Sequence, residues 1–462
     1  MSALWTSDEI CTATGGAASA SFSANGVSFD SREVEAGDLF LALKGEASDG
    51  HRFLDGAFAR GAAGAVVSEG SDHPHILVGD TTKALEQLGV AARARVDATV
   101  FGVTGSVGKT GTKEALFAAL DRCLPGKVHR SVKSYNNHVG VPLSLARMPR
   151  DTRYGIFEMG MNHSGELAAL TRFVRPNIAI VTTVGPAHIE HFADEAGIAD
   201  AKGEIFEGLV DGGTAIIPAD NVHCDRLRAK AERHAGKVLS FGFAENADIR
   251  CLDYIASQDG GSLVTANLNG TVLCYRIAQP GAHWVSNSLA VLAAVQVAGA
   301  DLAVAGLALS DLGGLKGRGE QHRISVLGSD ATVIDESYNA NPISMRATLA
   351  ALSKMAACRH IAILGSMKEL GPDSPSFHTA LKAPLEDAGV GFALLVGEEM
   401  LPLAKALAAD VAWTGKFAHG ATVDDVIVTA RALIKPGDAV LIKGSNSMGL
   451  SALVDALIGG GN

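Results

Sequence analysis

A chain of 462 residues has room for about three domains at roughly 150 residues each, and 53 glycines with only 5% aromatic residues suit α/β layers joined by tight turns. A net charge of −11 without any long basic run excludes nucleic acid as the main partner, because a phosphate backbone needs a basic face. The start, MSALWTSDEI, is acidic where a signal peptide is basic, and no apolar stretch approaches the roughly 20 residues of a membrane helix. The expectation is a soluble, cytoplasmic chain with no membrane partner. The six cysteines, at 11, 123, 224, 251, 274 and 358, form no CxxC pair and read as buried small hydrophobes in a reducing compartment.

Residues 1–96 form the first unit. DLFLALKG and AGAVVSEG read as short strands flanking an amphipathic stretch, HRFLDGAFARGA. DTTKALEQLGVAARARV places apolar residues at 85, 88, 92 and 96, the spacing of one helix face. This is a small mixed α/β domain. The second unit, 97–314, opens on the strand ATVFGV. YGIFEMG, NIAIVTTVG and GTAIIPAD follow as short continuous apolar strands, the mark of a parallel sheet buried on both faces. Between 244 and 283 the pattern alternates, and Gly-Gly and Asn-Gly pairs signal hairpins, so a small antiparallel insertion is expected beside the parallel sheet. A helix from Val285 to Val297 follows. In the third unit, 315–462, ATVIDES, HIAILGSM, FALLVGEE and DAVLIKGS repeat a strand–helix rhythm, as in a Rossmann-like domain, without a GxGxxG near its start.

ATVFGV runs directly into TGSVGKTGTKE, Thr104 to Glu114. A phosphate loop has a glycine, four residues, then Gly-Lys-Ser/Thr; counted back from Gly108-Lys109-Thr110, that glycine falls on Val103. The working parts are nevertheless present. Gly105 and Gly108 permit positive φ and close approach, and Thr104, Ser106 and Val107 complete a run of backbone N–H groups ahead of a helix start. Lys109 supplies a mobile cation, and Thr110 a hydroxyl for Mg²⁺. These features predict an ATP site and leave the reaction open.

TGSVGKT, SYNNHVGVP, FEMGMNHSGEL, GPAHIEHF and ADAKGEIFEGL, in that order, resemble the muramyl-peptide ligases of bacterial cell-wall synthesis, whose loop reads TGxxGKT. DESYNANPISM and LGSMKELG extend the resemblance into the third unit, and FDSREVEAGDLFLALKGEASDGH carries it into the first. It therefore covers most of the chain. It implies three domains around a central P-loop ATPase sheet, and ATP-dependent joining of D-alanyl-D-alanine to a UDP-linked muramyl tripeptide through an acyl phosphate.

The residue types fit that chemistry. A carboxylate reacts with an amine only after one oxygen becomes part of a leaving group, and the γ-phosphoryl of ATP makes it one. Glu158, ending YGIFEMG, is a hard oxygen donor for Mg²⁺; a solvated charge at a strand end is the plainer reading. His188 follows NIAIVTTVG at the ligand-binding end of the sheet, and the resemblance implies that it holds a second Mg²⁺, with His191 as a competitor. Lys202 is implied to carry CO₂ as a carbamate and to complete the metal set with Thr110, Glu158 and His188, since a bare lysine would repel the ion. Lys109, Glu158, His188 and Lys202 are the implied catalytic group.

The resemblance places Asn287 on the adenine, although taken alone it reads as an N-cap. Arg318 and Asp335 reach ribose and phosphates from the third unit, and Tyr338, Asn339 and Asn341 line the amine site. Asn137 is assigned to substrate binding. Ser31, Arg32, Lys44, Gly45 and His51 match positions that hold the UDP-sugar, with Arg32 and Lys44 supplying charge for a diphosphate; an acid–base pair on a loop surface is the alternative. The substrates are small molecules and the expected state is a monomer.

KGSNSMGLS keeps the KGS of the family but has Asn446 and Leu450 where arginine and a later acidic residue often stand. No Asp-Asn-Pro-Arg, the mark of the diaminopimelate-adding relative, occurs. VIDE can be read as a Walker B strand with a catalytic Glu336, but it lies far downstream in another unit. The alternatives are a related amide ligase with a different amine or a folate-type acceptor, and a non-ligating P-loop ATPase.

Overall fold

A computed structural model describes residues 3–45, 48–257 and 261–459. Among the described residues three sheets follow one another, together with a two-stranded pair, Trp5–Thr6 with Ser23–Ala24. The first sheet has five strands in the order Ala17–Ala18, His75–Leu77, Gly64–Val67, Asp38–Leu41 and Gly26–Ser28. All pairs are parallel except the first. Helix Thr81–Ala94 starts at Asp80, whose carboxylate accepts from Thr82 N at 2.8 Å and Lys83 N at 3.1 Å. Its buried face is Leu85, Leu88 and Ala92, with Val96 just beyond its end, as the spacing predicts. Gly89 lets it close on helix Gly140–Ala146: a Cβ there would stand 3.1 Å from Pro142 O. Trp5 Nε1 also donates to Ala146 O at 2.8 Å, so the first unit is fastened to the second.

The central sheet has nine strands. Their order is Thr271–Ile277, Ser262–Leu268, Ile249–Ala256, Lys237–Gly242, Thr214–Pro218, Ile178–Val181, Thr99–Thr104, Tyr154–Glu158 and Val128–Arg130. Neighbours along one strand enter different cores. Phe101, Val103, Ile156 and Ile180 face one layer of helices, and Val100, Phe157, Ala179 and Val181 face the other. Burial on both faces explains the continuous apolar runs. The antiparallel strands expected between 244 and 283 are present, and Phe241 pairs with Ile249, so they lengthen the same sheet. Their hairpin turns at Asn269 (φ +50°) and Gly270 (φ +99°), the left-handed pair that a two-residue loop demands.

The third sheet has six strands in the order Glu320–Val326, Ser329–Glu336, Asp438–Lys443, Arg359–Gly365, Val390–Val396 and Lys416–Gly420. It is parallel apart from its first pair. The two edge strands, EQHRISV and KFAHG, carry too little apolar sequence to announce themselves, because an edge is only half covered. All six cysteines are free thiols; Cys251 alone is fully buried, and Cys274 and Cys358 are exposed rather than core residues. Among the described residues no helix is long and apolar enough to cross a membrane.

Candidate active site

Strand Thr99–Thr104 delivers the chain to a turn that enters helix Lys109–Cys123. The turn uses Gly105 at φ +150° and Gly108 at φ +87°. A Cβ at Gly105 would fall 1.9 Å from Thr182 Oγ1, and one at Gly108 2.9 Å from Asn287 Oδ1, so a side chain at either position would be crowded as well as strained. Val103 pairs with Glu158 and Ile180 inside the sheet, which explains why no glycine is needed there. The loop is braced from behind. Thr182 Oγ1 donates to Val107 O at 2.5 Å and Ser106 Oγ to Gly185 O at 2.9 Å. Lys109 Nζ folds back onto Gly105 O at 2.7 Å. Burial pushes its pKa below the usual lysine value, against the pull of the Glu158 carboxylate.

Glu158 is 1% exposed. Its Oε2 accepts from Thr110 Oγ1 at 2.9 Å, and its Oε1 from Asn136 Nδ2 at 2.8 Å. Lys113, fully buried one turn beyond Lys109, holds its Nζ 3.9 Å from Glu158 Oε2 and 3.0 Å from Glu114 Oε1. It also donates to Ser131 O at 3.0 Å and Lys133 O at 2.8 Å. A hydroxyl and a carboxylate oxygen together at the foot of a phosphate loop are the hard donors that Mg²⁺ prefers. The residues present fit that ion. Asn136, not Asn137, turns toward it; Asn137 Oδ1 is spent on Gly140 N at 2.9 Å at the start of the next helix and lies outside the cleft.

His188 and Lys202 approach from the neighbouring loop and helix. His188 lines the cleft in the left-handed region, φ +61°, with Nδ1 against Glu369. That imidazole holds the Glu369 carboxyl below its usual value. His191 is not among the lining residues and packs its ring 4.5 Å from that of His163. Lys202, in helix Glu195–Gly203, is 1% exposed. Among the described residues no acid pairs with its ammonium, and burial, joined by the charge of Lys109, pushes its pKa well below the lysine range.

Ser106 to Thr110, Asn136, Glu158 and His188 form one wall of a cleft of 560 Å³ between the central and third sheets, and Lys202 is not among its lining residues. The other wall carries Arg318, Glu336, Tyr338, Asn339, Asn341 and Lys443. The Arg318 guanidinium lies 4.2 Å over the Tyr338 ring. Lys443 is buried, donates to Glu336 Oε2 at 3.2 Å and Asn339 O at 3.0 Å, and has its pKa pushed down by that burial against the pull of Glu336. Asp335 does not reach the cleft. Its oxygens accept Gly317 N at 2.9 Å and Ser337 N at 3.0 Å, so it shapes the turn that presents Arg318, while Glu336 points the other way and lines the cleft. Asn341 caps helix Pro342–Leu352 and reaches across to Ser106 O at 3.4 Å. Asn287 is not an N-cap. Helix Ala282–Val297 is capped at Gly281, which places the Asn287 amide one turn further in, against Gly108.

Among the described residues the first unit contributes nothing to this lining. Arg32 is exposed and pairs with Asp30 Oδ2 at 2.7 Å; Lys44 pairs with Glu69 at 2.7 Å. His51 Nε2 accepts Ser68 N at 2.9 Å, which leaves the proton on Nδ1, 2.6 Å from Asp49 Oδ1. Ser31 is half-buried, and Gly45 N donates to Ser48 O at 2.9 Å. The connection to the cleft runs through Glu33, next to Arg32, which pairs with Lys133 and lies 3.5 Å from Tyr135 Oη on the segment that also carries Asn136. Lys113, Asn136, His283, Trp284 and Lys443 were not legible as site residues, though Lys113 stands one turn from Lys109 and Lys443 opens the KGS motif.

Family profiles match in chain order: "Mur ligase family, catalytic domain" over 23–95, "Mur ligase middle domain" over 103–295, and "Mur ligase, glutamate ligase domain" over 322–446. The UDP-N-acetylmuramoyl-tripeptide–D-alanyl-D-alanine ligase of Synechocystis sp. is 35% identical over 94% of this chain and 92% of its own. That of Escherichia coli is 34% identical, covering 93% of each. MurF from Acinetobacter baumannii superposes with a TM-score of 0.85 at 29% identity, covering 98% of this chain and 99% of that one. MurF ligase from Thermotoga maritima in complex with ADP gives 0.77 at 26%, covering 94% and 97%.

Proposed function

The chain belongs to the Mur ligase family, and from that premise we propose that it joins D-alanyl-D-alanine to UDP-N-acetylmuramoyl-tripeptide, cleaving ATP to ADP and phosphate. The observation that carries this reading is the juxtaposition of the Lys109 loop with the Thr110–Glu158 pair in a cleft shared by two sheets. Relatives of nearly equal length bear that activity in their names. The enzyme is read as three domains, 1–96, 97–314 and 315–462, acting in the cytoplasm as a monomer on small-molecule substrates.

ATP enters with its phosphates on the loop 104–110. A relative solved in complex with ADP supports an adenine nucleotide as the ligand. Asn287 and Trp284 border the base, and Arg318 adds charge from the opposite wall. Lys109 exchanges Gly105 O for a phosphate oxygen. Thr110, Glu158 and His188 would hold Mg²⁺, which when bound offsets charge between the polyanionic substrates. The tripeptide carboxylate oxygen attacks the γ-phosphorus and the bond to ADP breaks. The neutral amine of D-Ala-D-Ala then attacks the acyl carbon, and phosphate departs with the carboxylate's former oxygen. Tyr338 and Asn339 border the amine, while Ser31, Arg32, Lys44, Gly45 and His51 hold the UDP-sugar. The two walls exclude water that would hydrolyse the acyl phosphate.

Lys202 is read as a carbamate. A buried lysine beside Lys109, with no acid partner among the described residues, is an electrostatic misfit. Adding CO₂ to its free amine, with loss of one proton, turns it into an anion that fits both Lys109 and a metal. ADP release measured against a panel of acceptors and amines tests the substrate reading. Dependence on diaminopimelate or glutamate rather than D-Ala-D-Ala would overturn it.

A further inference from the structure

Two loops meet across the junction of the central and third sheets, and each puts a non-glycine residue into the left-handed region: His188 at φ +61° and Glu369 at φ +62°. They face one another. His188 Nδ1 is buried and lies against Glu369 Oε2, off the ideal hydrogen-bond axis, and among the described residues no other acid pairs with it. Glu369 O also accepts Glu190 N at 3.4 Å. Gly371 packs so tightly that a Cβ there would stand 3.1 Å from Glu190 Cβ.

The Glu369 loop is fixed from beneath. Met367 N donates to Nε2 of the fully buried His378 at 2.9 Å, and Lys368 N to Ser445 Oγ at 3.0 Å. Ser445 N in turn donates to Ser366 O at 3.1 Å. LGSMKELG and the serine of KGS thus form one scaffold that carries Glu369 to the junction.

A neutral imidazole offers a lone pair on one nitrogen only. A carboxylate facing Nδ1 keeps the proton there and leaves the Nε2 lone pair for a cation, and it fixes the ring plane. We infer that Glu369 is a positioning residue for His188, supplied by the other domain, so that the cation site is completed only when the two domains stand in this arrangement. This rests on the reading of His188 as a metal ligand. Cation binding and domain juxtaposition then favour each other by linkage.

Calorimetric titration of Mg²⁺ into the full-length protein saturated with ADP tests this, using Glu369→Ala, Glu369→Gln, His188→Ala and the double alanine variant. Glu369→Ala should weaken cation binding roughly 10–100-fold. Glu369→Gln, whose amide oxygen can still accept from Nδ1, should fall between. The double variant should bind no more weakly than His188→Ala alone, and cation-free ADP affinity should stay unchanged in Glu369→Ala and Glu369→Gln. An unchanged constant in Glu369→Ala beside a weakened one in His188→Ala overturns the inference and spares the ligand reading. Equal weakening by Glu369→Ala with and without His188 also overturns it, because Glu369 would not act through that ring. An unchanged constant in His188→Ala removes the ligand reading and the inference with it.

Discussion

Replacing Lys113 with methionine takes one cation out of the interior and leaves the side-chain length nearly the same. The ammonium holds Lys133 O at 2.8 Å, Ser131 O at 3.0 Å, Glu114 Oε1 at 3.0 Å, and stands 3.9 Å from Glu158 Oε2. Glu114 keeps Arg130 Nε at 2.9 Å, but Glu158, 1% exposed, loses a compensating charge. Removing one partner from a buried ionic network costs about 3–5 kcal/mol, because the other charge stays buried. A domain of this size shifts its transition roughly 2–4 °C per kcal/mol. Differential scanning calorimetry should therefore show a fall of roughly 6–20 °C, and Lys113→Arg, which keeps the charge, a smaller one. The freed segment 131–138 carries Asn136, so the Mg²⁺ requirement should rise as well. A methionine variant that melts within about 2 °C of the parent would show that these charges reach water and that no buried network is broken.

Lys109→Ala should abolish ATP cleavage, measured as phosphate release; appreciable turnover would remove Lys109 from the phosphates. Lys202→Ala should be strongly impaired and partly rescued by short carboxylic acids, and undiminished activity would sink the carbamate reading. Gly108→Ala forces a side chain into φ +87° and against the Asn287 amide. Its ADP affinity should drop roughly 5–30-fold, the equivalent of a left-handed penalty of about 1–2 kcal/mol that a loop relaxed in the free variant meets on binding; an unchanged affinity would show that the free loop keeps the left-handed conformation. His129 donates from Nε2 to Ser144 O at 2.7 Å, and burial pushes its pKa down to about 4. The unfolded imidazole titrates near 6.5, so from about 6.5 down to 4 the unfolded chain takes a proton that the folded one refuses. Stability should fall as pH drops through that window and level off below it. His129→Gln should flatten this part of the profile, read by urea unfolding at fixed pH.

Much of the central domain could be read directly because its strands are buried on both faces. ATVFGV, YGIFEMG and NIAIVTTVG have nowhere to place a polar residue until the chain leaves the sheet, and that exit is where Gly105 and Glu158 stand. The edge strands 320–326 and 416–420 stayed hidden for the opposite reason: half-covered strands tolerate polar residues. Asp335 and Glu336 show a second limit. Two adjacent acids on one strand must point to opposite sides, and which one meets the cleft depends on how the third sheet lies against the first helix turn of the second. Asn136 and Asn137 pose the same problem in a loop, where Gly140 claims one amide and Glu158 the other. Lys443, in the KGS motif, was visible as a residue but not as a cleft wall. Its partner Glu336 lies 107 positions away in the chain.

The most direct test of the account follows the oxygen. UDP-N-acetylmuramoyl-tripeptide labelled with heavy oxygen in its reacting carboxylate is incubated with the enzyme, ATP, Mg²⁺ and D-Ala-D-Ala, and the products are weighed by mass spectrometry. UDP-muramyl-pentapeptide should form together with ADP and inorganic phosphate carrying one labelled oxygen. Phosphate without label, or ADP formed with no amide product, would contradict it.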